Sequence, residues 1–238
     1  RFDSTGKYLY FNVFEQMNSS VYSVPYQMRV VSGDVEKVAD NLYRFKDLAL
    51  SPGDALIVGR SMDFQGEKHL EIFNRATGKK ERLIEKFSGI NPLFISEEEI
   101  LFFEYREKKT LFKKINHKAK TQTLLYTLDG KGKNFHLQNG TLYFSADSNG
   151  VFNAYSYRLS DGKLEILSHV DTAATFPLPG GSKLFFLYLH KENLVVAELD
   201  RQNLNLATLP KIENQRITPE PYMPGKDFKY SVADYAPF

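Results

Sequence analysis

The sequence predicts an all-β protein, a β-propeller of antiparallel four-stranded blades, on three observations. A short apolar strand motif recurs five times, as "YLYF" (8–11), "ALIV" (55–58), "ILFF" (100–103), "TLYF" (141–144) and "KLFF" (183–186). Its shared leucines, Leu9, Leu56, Leu101, Leu142 and Leu184, lie 47, 45, 41 and 42 residues apart, close to the roughly 40–45 residues of a propeller blade. Each copy follows a turn rich in Gly, Pro, Asn or Asp, the residues that supply tight-turn backbone angles. The composition agrees: 19 Phe and 14 Tyr in 238 residues favour strands, because flat rings pack well on a pleated surface.

The elements follow in a constant order. The leading turns are "DSTGK" (3–7), "SPGD" (51–54), "SEEE" (96–99), "QNG" (138–140) and "PGGSK" (179–183). The apolar strand comes next, and its near-continuous hydrophobicity predicts burial on both faces. A polar loop then leads to a second strand: "HLEIFNR" (69–75), "TLFKKIN" (110–116), "FNAYSYRL" (152–159) or "NLVVAELD" (193–200). Further turns ("ATGKK", "HKAKT", "SDGK", "DRQN") precede a third strand, "ERLIE", "QTLLY", "LEILS" or "LNLATL", with Leu83, Leu124, Leu167 and Leu206 at comparable places. These last strands alternate apolar and charged residues, as solvent-facing edge strands do. One such sheet cannot bury both faces; sheets packed face to face around a ring can. An open sandwich explains the strand content equally well but leaves the period unexplained.

No segment holds a helical period. "EKVADNLYRFKDLAL" (36–50) comes closest, but it lies where blades join and is broken by "ADN". The repeats occupy residues 1–209, and 210–238 form a Pro-rich tail. There "ITPEPYMPG" reads as extended and irregular, and "FKYSVADY" as one closing strand or a lead into a following domain.

Composition bounds the function. There are 31 basic and 29 acidic residues, a net charge of +2, and no global pull toward nucleic acid or an anionic membrane follows. Cys is absent, which excludes disulfides, thiolate metal sites and Cys nucleophiles and fits an oxidising envelope compartment. The longest apolar run, "LFFLYL" (184–189), is far short of a membrane helix. No signal sequence is present, and the chain opens inside a strand-turn-strand pattern, as expected of a piece of a longer precursor.

The stretch "FDSTGKYLYF" (2–11) resembles the F-S-P-D-G-K-x-L-x-F signature of TolB-like propeller repeats. "ALSPGDALIV" (49–58) keeps the Ser-Pro and the glycine turn with Asp and Gly reversed, and "FSADSNGVFNAYSYRLSDGKLEILS" (144–168) is similar to the rest of the repeat. "FISEEEILFF" and "PLPGGSKLFF" lack the Asp-Gly turn. The resemblance covers residues 1 to about 209. Such repeats occur in periplasmic TolB, which has six blades, in the propellers of prolyl oligopeptidase-type serine peptidases, and in envelope proteins where a propeller precedes another module. Five repeats are visible, so either the ring has five blades or part of it precedes Arg1. The tail "PEPYMPGKDFKYSVADY" is similar to the junction where some of these propellers enter an outer-membrane β-barrel.

No chemistry-bearing constellation stands out. G-x-S-x-G, the elbow of Ser hydrolases, does not occur, and Ser182 in "GGSK" sits in a repeat turn. His69, His117, His136, His169 and His190 are scattered without metal-ligand spacing and read as surface or turn residues. "DSNG" (147–150) has Arg158 where a calcium loop needs its twelfth-position Glu, so Asp147, Asn149 and, further on, Asp161 read as turn formers. Asp3, Asp54 and Glu97, the carboxylates a glycosidase pair would draw on, follow the repeat and read the same way. The basic stretch "REKKTLFKKINHKAK" (106–120), with Phe102, Phe103, Tyr105 and Phe112 around it, reads as the solvated outer edge of the third blade. No catalytic, cofactor or metal residue is assigned, and the partner-binding residues are unknown. The resemblance implies a non-catalytic scaffold of the periplasm or outer membrane, whose partner is an envelope protein or peptide segment such as an outer-membrane barrel or lipoprotein. Its alternatives are a substrate-gating propeller of a prolyl oligopeptidase-type peptidase or, behind it, a five-bladed glycosidase.

Overall fold

The computed structural model describes residues 1–17, 20–147, 150–190 and 193–200. The strand expected at "LNLATL", with Leu206, the tail 210–238 and Asn149 of "DSNG" lie outside the described residues.

The described chain forms eighteen strands and no helix. Five antiparallel sheets follow one another around a ring as the blades of a propeller. Blade 1 holds β1 (Tyr8–Met17), β2 (Ser20–Arg29) and β3 (Val35–Lys37). Blade 2 holds β4 (Lys46–Leu50), β5 (Leu56–Met62), β6 (Lys68–Asn74) and β7 (Lys80–Ile84). Blade 3 holds β8 (Ile90–Phe94), β9 (Glu99–Arg106), β10 (Lys109–Asn116) and β11 (Thr121–Asp129). Blade 4 holds β12 (Gly132–Gln138), β13 (Thr141–Ala146), β14 (Asn153–Arg158) and β15 (Leu164–Ile166). Blade 5 holds β16 (Ala174–Gly180), β17 (Lys183–His190) and β18 (Asn193–Asp200).

Four-stranded blades are therefore found in the middle of the chain, while the first and last have three strands among the described residues. In blade 1 the position of the leading strand is marked by a single antiparallel bridge, Phe2 to Leu9. The recurrent apolar motif is the second strand of each complete blade. The leading strand, β4, β8, β12 or β16, lies between one repeat's last turn and the next repeat's first. The 36–50 segment accordingly splits into the end of β3, an irregular connection and β4.

Each leading strand carries the same irregularity. Its pairing with the next strand slips by one residue between Lys46 and Ala49, Ile90 and Leu93, Lys133 and His136, and Thr175 and Leu178. The first residue of every slip has a positive φ: Asp47 (56°), Asn91 (47°), Asn134 (57°) and Phe176 (55°). A β-bulge of this kind bends the strand and sharpens its twist, and Asp and Asn enter the left-handed region at least cost among residues with a side chain.

Burial follows the sequence pattern. Ile100, Leu101, Phe102 and Phe103 of β9 are fully buried, as are Leu142 and Phe144 of β13. One apolar cluster joins blades 2, 3 and 4, a second joins blades 4 and 5, and a third, around Tyr10, Phe45, Ile57 and Phe73, joins blades 1 and 2. None of these clusters contains residues of both blade 1 and blade 5 among the described residues. At the blade 3–4 interface the Phe112 ring meets Phe103 edge-on at 5.2 Å and Phe144 at 5.3 Å.

The basic stretch 106–120 differs from the expected outer edge. Its core is β10, which lies between β9 and β11, and most of its lysines are paired. Lys113 meets Glu104 and Lys114 meets Glu99, each at 2.6 Å, while Lys118 meets Glu98 and Lys120 meets Glu81, each at 2.7 Å. Cross-strand registry places Lys113 and Lys114 opposite Phe102 and Leu101, each two positions along the strand from its acid, Glu104 or Glu99, and so on the same face. Much of the charge is thus neutralised within the blade and across to its neighbour.

Candidate functional site

The face that blade 2 turns toward blade 1 changes character along its length. Three cross-strand pairs build it: Ile57 with Phe73, Gly59 with Glu71, and Ser61 with His69. Ile57 and Phe73 are apolar and sit in the blade 1–2 cluster. At Gly59 the Phe45 ring comes so close that a Cβ would lie 2.1 Å from its nearest carbon. Beyond Phe45 the face turns polar, and a cavity of 440 Å³ opens between the blades, lined among others by Tyr22, Tyr43, Arg44 and Phe64.

The polar pairs are buried and incompletely satisfied. His69 is 1% exposed, and its Nε2 lies 3.1 Å from Asp63 Oδ2. Asp63 Oδ1 accepts from the backbone N–H groups of Gln65 and Glu67, closing the β5–β6 turn. Burial pushes the Asp63 carboxyl up, but the hydrogen bonds from His69, Glu67 and Gln65 outweigh it and hold the group below the usual range. In the singly protonated ring a carboxylate partner places the proton on Nε2, and Nδ1 is then the acceptor. Three residues lining the cavity each carry a closed-off side-chain atom with no hydrogen-bond partner: His69 Nδ1, Ser61 Oγ and Glu71 Oε2. Glu71 is held only by longer ion pairs, Oε1 to Arg82 Nε at 3.5 Å and Oε2 to Lys80 Nζ at 3.9 Å.

Arg44 forms one wall. Its guanidinium lies 4.7 Å from the Tyr22 ring centre and 4.9 Å from that of Phe64, and its Nη1 donates to the Asp63 carbonyl at 2.6 Å. Hydrogen bonds to Ser20 and then Arg44 hold the Tyr22 hydroxyl below the usual tyrosine range. Asp63, Glu67 and His69 could each offer one ligand atom to a cation, these atoms lying within 4.8 Å of one another. A metal on Nε2 would send the ring proton to Nδ1, where no acceptor waits, whereas metal-bound histidines almost always donate from the second nitrogen. The hydrogen bond to Asp63 suits this pocket better.

A second cavity, of 520 Å³, adjoins the first and shares Arg44, Ser61 and Met62 with it. Its other walls include Phe14, Val21, Lys46, Arg60 and Lys68, with no acidic side chain. Lys46 Nζ sits 5.5 Å from the Phe14 ring centre, and Arg60 is paired with Asp47 at 3.0 Å.

The residues weighed from the sequence fall elsewhere, with one exception. His69, read as a surface or turn residue, is buried at the blade 1–2 cavity. His117 lies in a turn, within 2.9 Å of the Glu97 carbonyl; His136 is half-buried on β12, His169 is exposed, and the His190 side chain lies outside the described residues. Asp3 closes its own turn, taking the Tyr8 N–H at 2.9 Å. Asp54 and Glu97 do more than form turns. Asp54 reaches from the blade 2 turn to Ser4 in the blade 1 turn, and Glu97 from the blade 3 turn to the Gly53 N–H in blade 2. They stitch neighbouring blades along one rim. The sequence signal for the buried site was the "SMDFQGEKHLE" hairpin (61–71), the one second-strand approach that carries Ser, His and Glu together.

No family model matches the chain, and no curated protein matches it in sequence. Its fold does have solved counterparts. A chain from Agrobacterium tumefaciens assigned as TolB aligns with TM-score 0.65 at 14% identity, over 84% of this chain and 75% of that one. TolB from Acinetobacter baumannii aligns with TM-score 0.66 at 14% identity, over 83% of this chain and 51% of that one. A puromycin-hydrolyzing peptidase from Mycobacterium tuberculosis aligns with TM-score 0.62 at 12% identity, over 89% of this chain but only 38% of the peptidase. The fold is that of the TolB-like propellers, and it is shared by non-peptidase and peptidase chains alike.

Proposed function

We infer that the chain is a non-catalytic binding scaffold of the bacterial cell envelope, a propeller that holds an envelope protein or peptide segment at the mouth between blades 1 and 2. The observation that carries this reading is the second cavity. Phe14 and Val21, both about two-thirds exposed at 67% and 66%, stand there beside Lys46, Lys68 and Arg44 with no acid among the lining residues. Exposed aromatic and aliphatic side chains gathered beside arginine mark protein-binding surfaces, and the uniform charge selects an acidic partner segment. Likeness to TolB supports the envelope setting and the scaffold role.

The test is site-specific photocrosslinking from position 21 in envelope fractions, with the captured peptide read by mass spectrometry. A peptide rich in Asp and Glu is expected, and its yield should fall in a Lys46→Glu, Lys68→Glu double variant and at high salt. Capture of nothing, or capture indifferent to charge reversal, would overturn the reading. The likeness to the M. tuberculosis enzyme favours a second reading, a propeller that gates substrate to a peptidase domain; an α/β-hydrolase domain with G-x-S-x-G in the gene's full reading frame would select it.

A further inference from the structure

Resting on the partner reading above, we propose that the partner segment carries an aromatic side chain beside its acidic residues, and that this ring seats in the 440 Å³ cavity between blades 1 and 2. The partner groove and this cavity are two halves of one mouth, with Arg44, Ser61 and Met62 as their common wall. Phe64 stands 87% exposed at the cavity, and Tyr43 and Met62 are exposed there too. With Phe14 and Val21 of the groove, they gather open apolar surface on both sides of that wall. Apolar surface collected in this way around a concavity marks an interaction site.

Charge sorts the two halves. The groove presents Lys46 and Lys68 with no acidic side chain among its lining residues, so the partner's carboxylates belong there. In the cavity the acids are already matched: Asp63 meets His69, and Glu71 meets Lys80 and Arg82. A carboxylate entering it would be set against Asp63 and Glu71, and an ammonium against Arg44, Lys80 and Arg82. An uncharged side chain disturbs neither pairing. The walls then select a flat one. Tyr22, Tyr43 and Phe64 line the space, and the Arg44 guanidinium stands 4.7 Å from the Tyr22 ring centre and 4.9 Å from that of Phe64. An incoming ring packs edge-on or offset against such rings, lies against the guanidinium as the wall rings already do, and meets the polarisable Met62 sulfur. An aliphatic side chain gains burial alone. The volume falls within the roughly 300–1,000 Å³ of sites that take whole small molecules, ample for one ring.

The test uses the full 238-residue chain in fluorescence polarisation. The probes are two dye-labelled peptides of Glu and Asp, identical except for a central Phe or Ala, with a lysine peptide bearing the same central Phe as the charge comparator. The acidic Phe peptide is expected to bind about tenfold or more tightly than its Ala twin. Phe64→Ala should erase that advantage and leave the Ala peptide bound as in the parent. Its Tm should hold, because the Phe64 side chain is mostly exposed, which separates lost binding from lost folding. The Lys46→Glu, Lys68→Glu double variant should weaken both acidic peptides, and the surface variant Lys163→Ala, on blade 4, should bind both as the parent does. Equal affinity for the two acidic peptides, or an advantage that survives Phe64→Ala, overturns the aromatic anchor and leaves the acidic-partner reading standing. Binding of neither acidic peptide, or tighter binding of the lysine peptide, overturns both.

Discussion

Gly59 is the residue on which the blade 1–2 site turns. Its missing side chain lets the Phe45 ring lie flat against β5, and that ring closes the apolar end of the face while Ser61 begins the polar end. An added Cβ would fall 2.1 Å from one Phe45 carbon and 2.5 Å from another, closer than real contacts allow, and Phe45 is itself fully buried with no room to retreat. Gly59→Ala should therefore cost about 1–3 kcal/mol, as overpacking does, read as a lower urea midpoint at unchanged slope. A neutral result would mean that Phe45 has a second position and the cavity a flexible wall. From sequence, Gly59 is one glycine in a strand, a mark of close backbone approach in general terms; what approaches it comes from the preceding irregular connection and depends on how two blades meet. The same limit hid His69. Its burial arises from the facing of blade 1, which no local pattern encodes.

The strand that repeats most faithfully in structure is the one least visible in sequence. The apolar second strands announce themselves by composition and period, because both faces are buried. The leading strands β4, β8, β12 and β16 are short, mixed in character and bulged, and the residue at the head of each bulge stands eight to ten positions before the shared leucine. Unequal turns scramble the alignment of Asp47, Asn91, Asn134 and Phe176. Three of these four belong to the residue types that accept a left-handed backbone; the fourth is a bulky aromatic at φ 55°, where the Cβ–carbonyl clash costs about 1–2 kcal/mol. Phe176 is also half exposed, so little packing offsets that strain. Phe176→Asn should consequently stabilise the chain by about 1 kcal/mol, seen as a higher urea midpoint. A loss of stability would instead show that the packing of the Phe176 ring outweighs the strain in its backbone.

At the scale of the ring, burial is distributed unevenly, and the distribution predicts how the molecule opens. Blade 3 is covered on both sides, and the cluster it anchors runs from β4 through β14. Blades 1 and 5 are each tied to one neighbour by a smaller cluster, and they carry much of the exposed apolar surface: Phe14, Val21, Val31 and Val35 on one, Phe176, Leu178, Leu194 and Val196 on the other. The repeat makes five blades legible, because every copy needs the same turn and the same buried strand. It does not make this gradient legible, because identical units differ only in how many neighbours cover them. Local opening free energy follows buried apolar contact, so amide hydrogen exchange under native conditions should be slowest in β9, β10 and β13. The amides of β2 and β18 should exchange roughly tenfold faster or more, a difference of about 1.4 kcal/mol in opening free energy. Equal protection from blade 1 to blade 5 would mean that the ring opens only as a whole, and that its terminal blades are sealed by contacts beyond the three clusters. A partner seated in the groove at Phe14 and Val21 would slow exchange in β2 first, since that blade has the fewest contacts of its own to lend it protection.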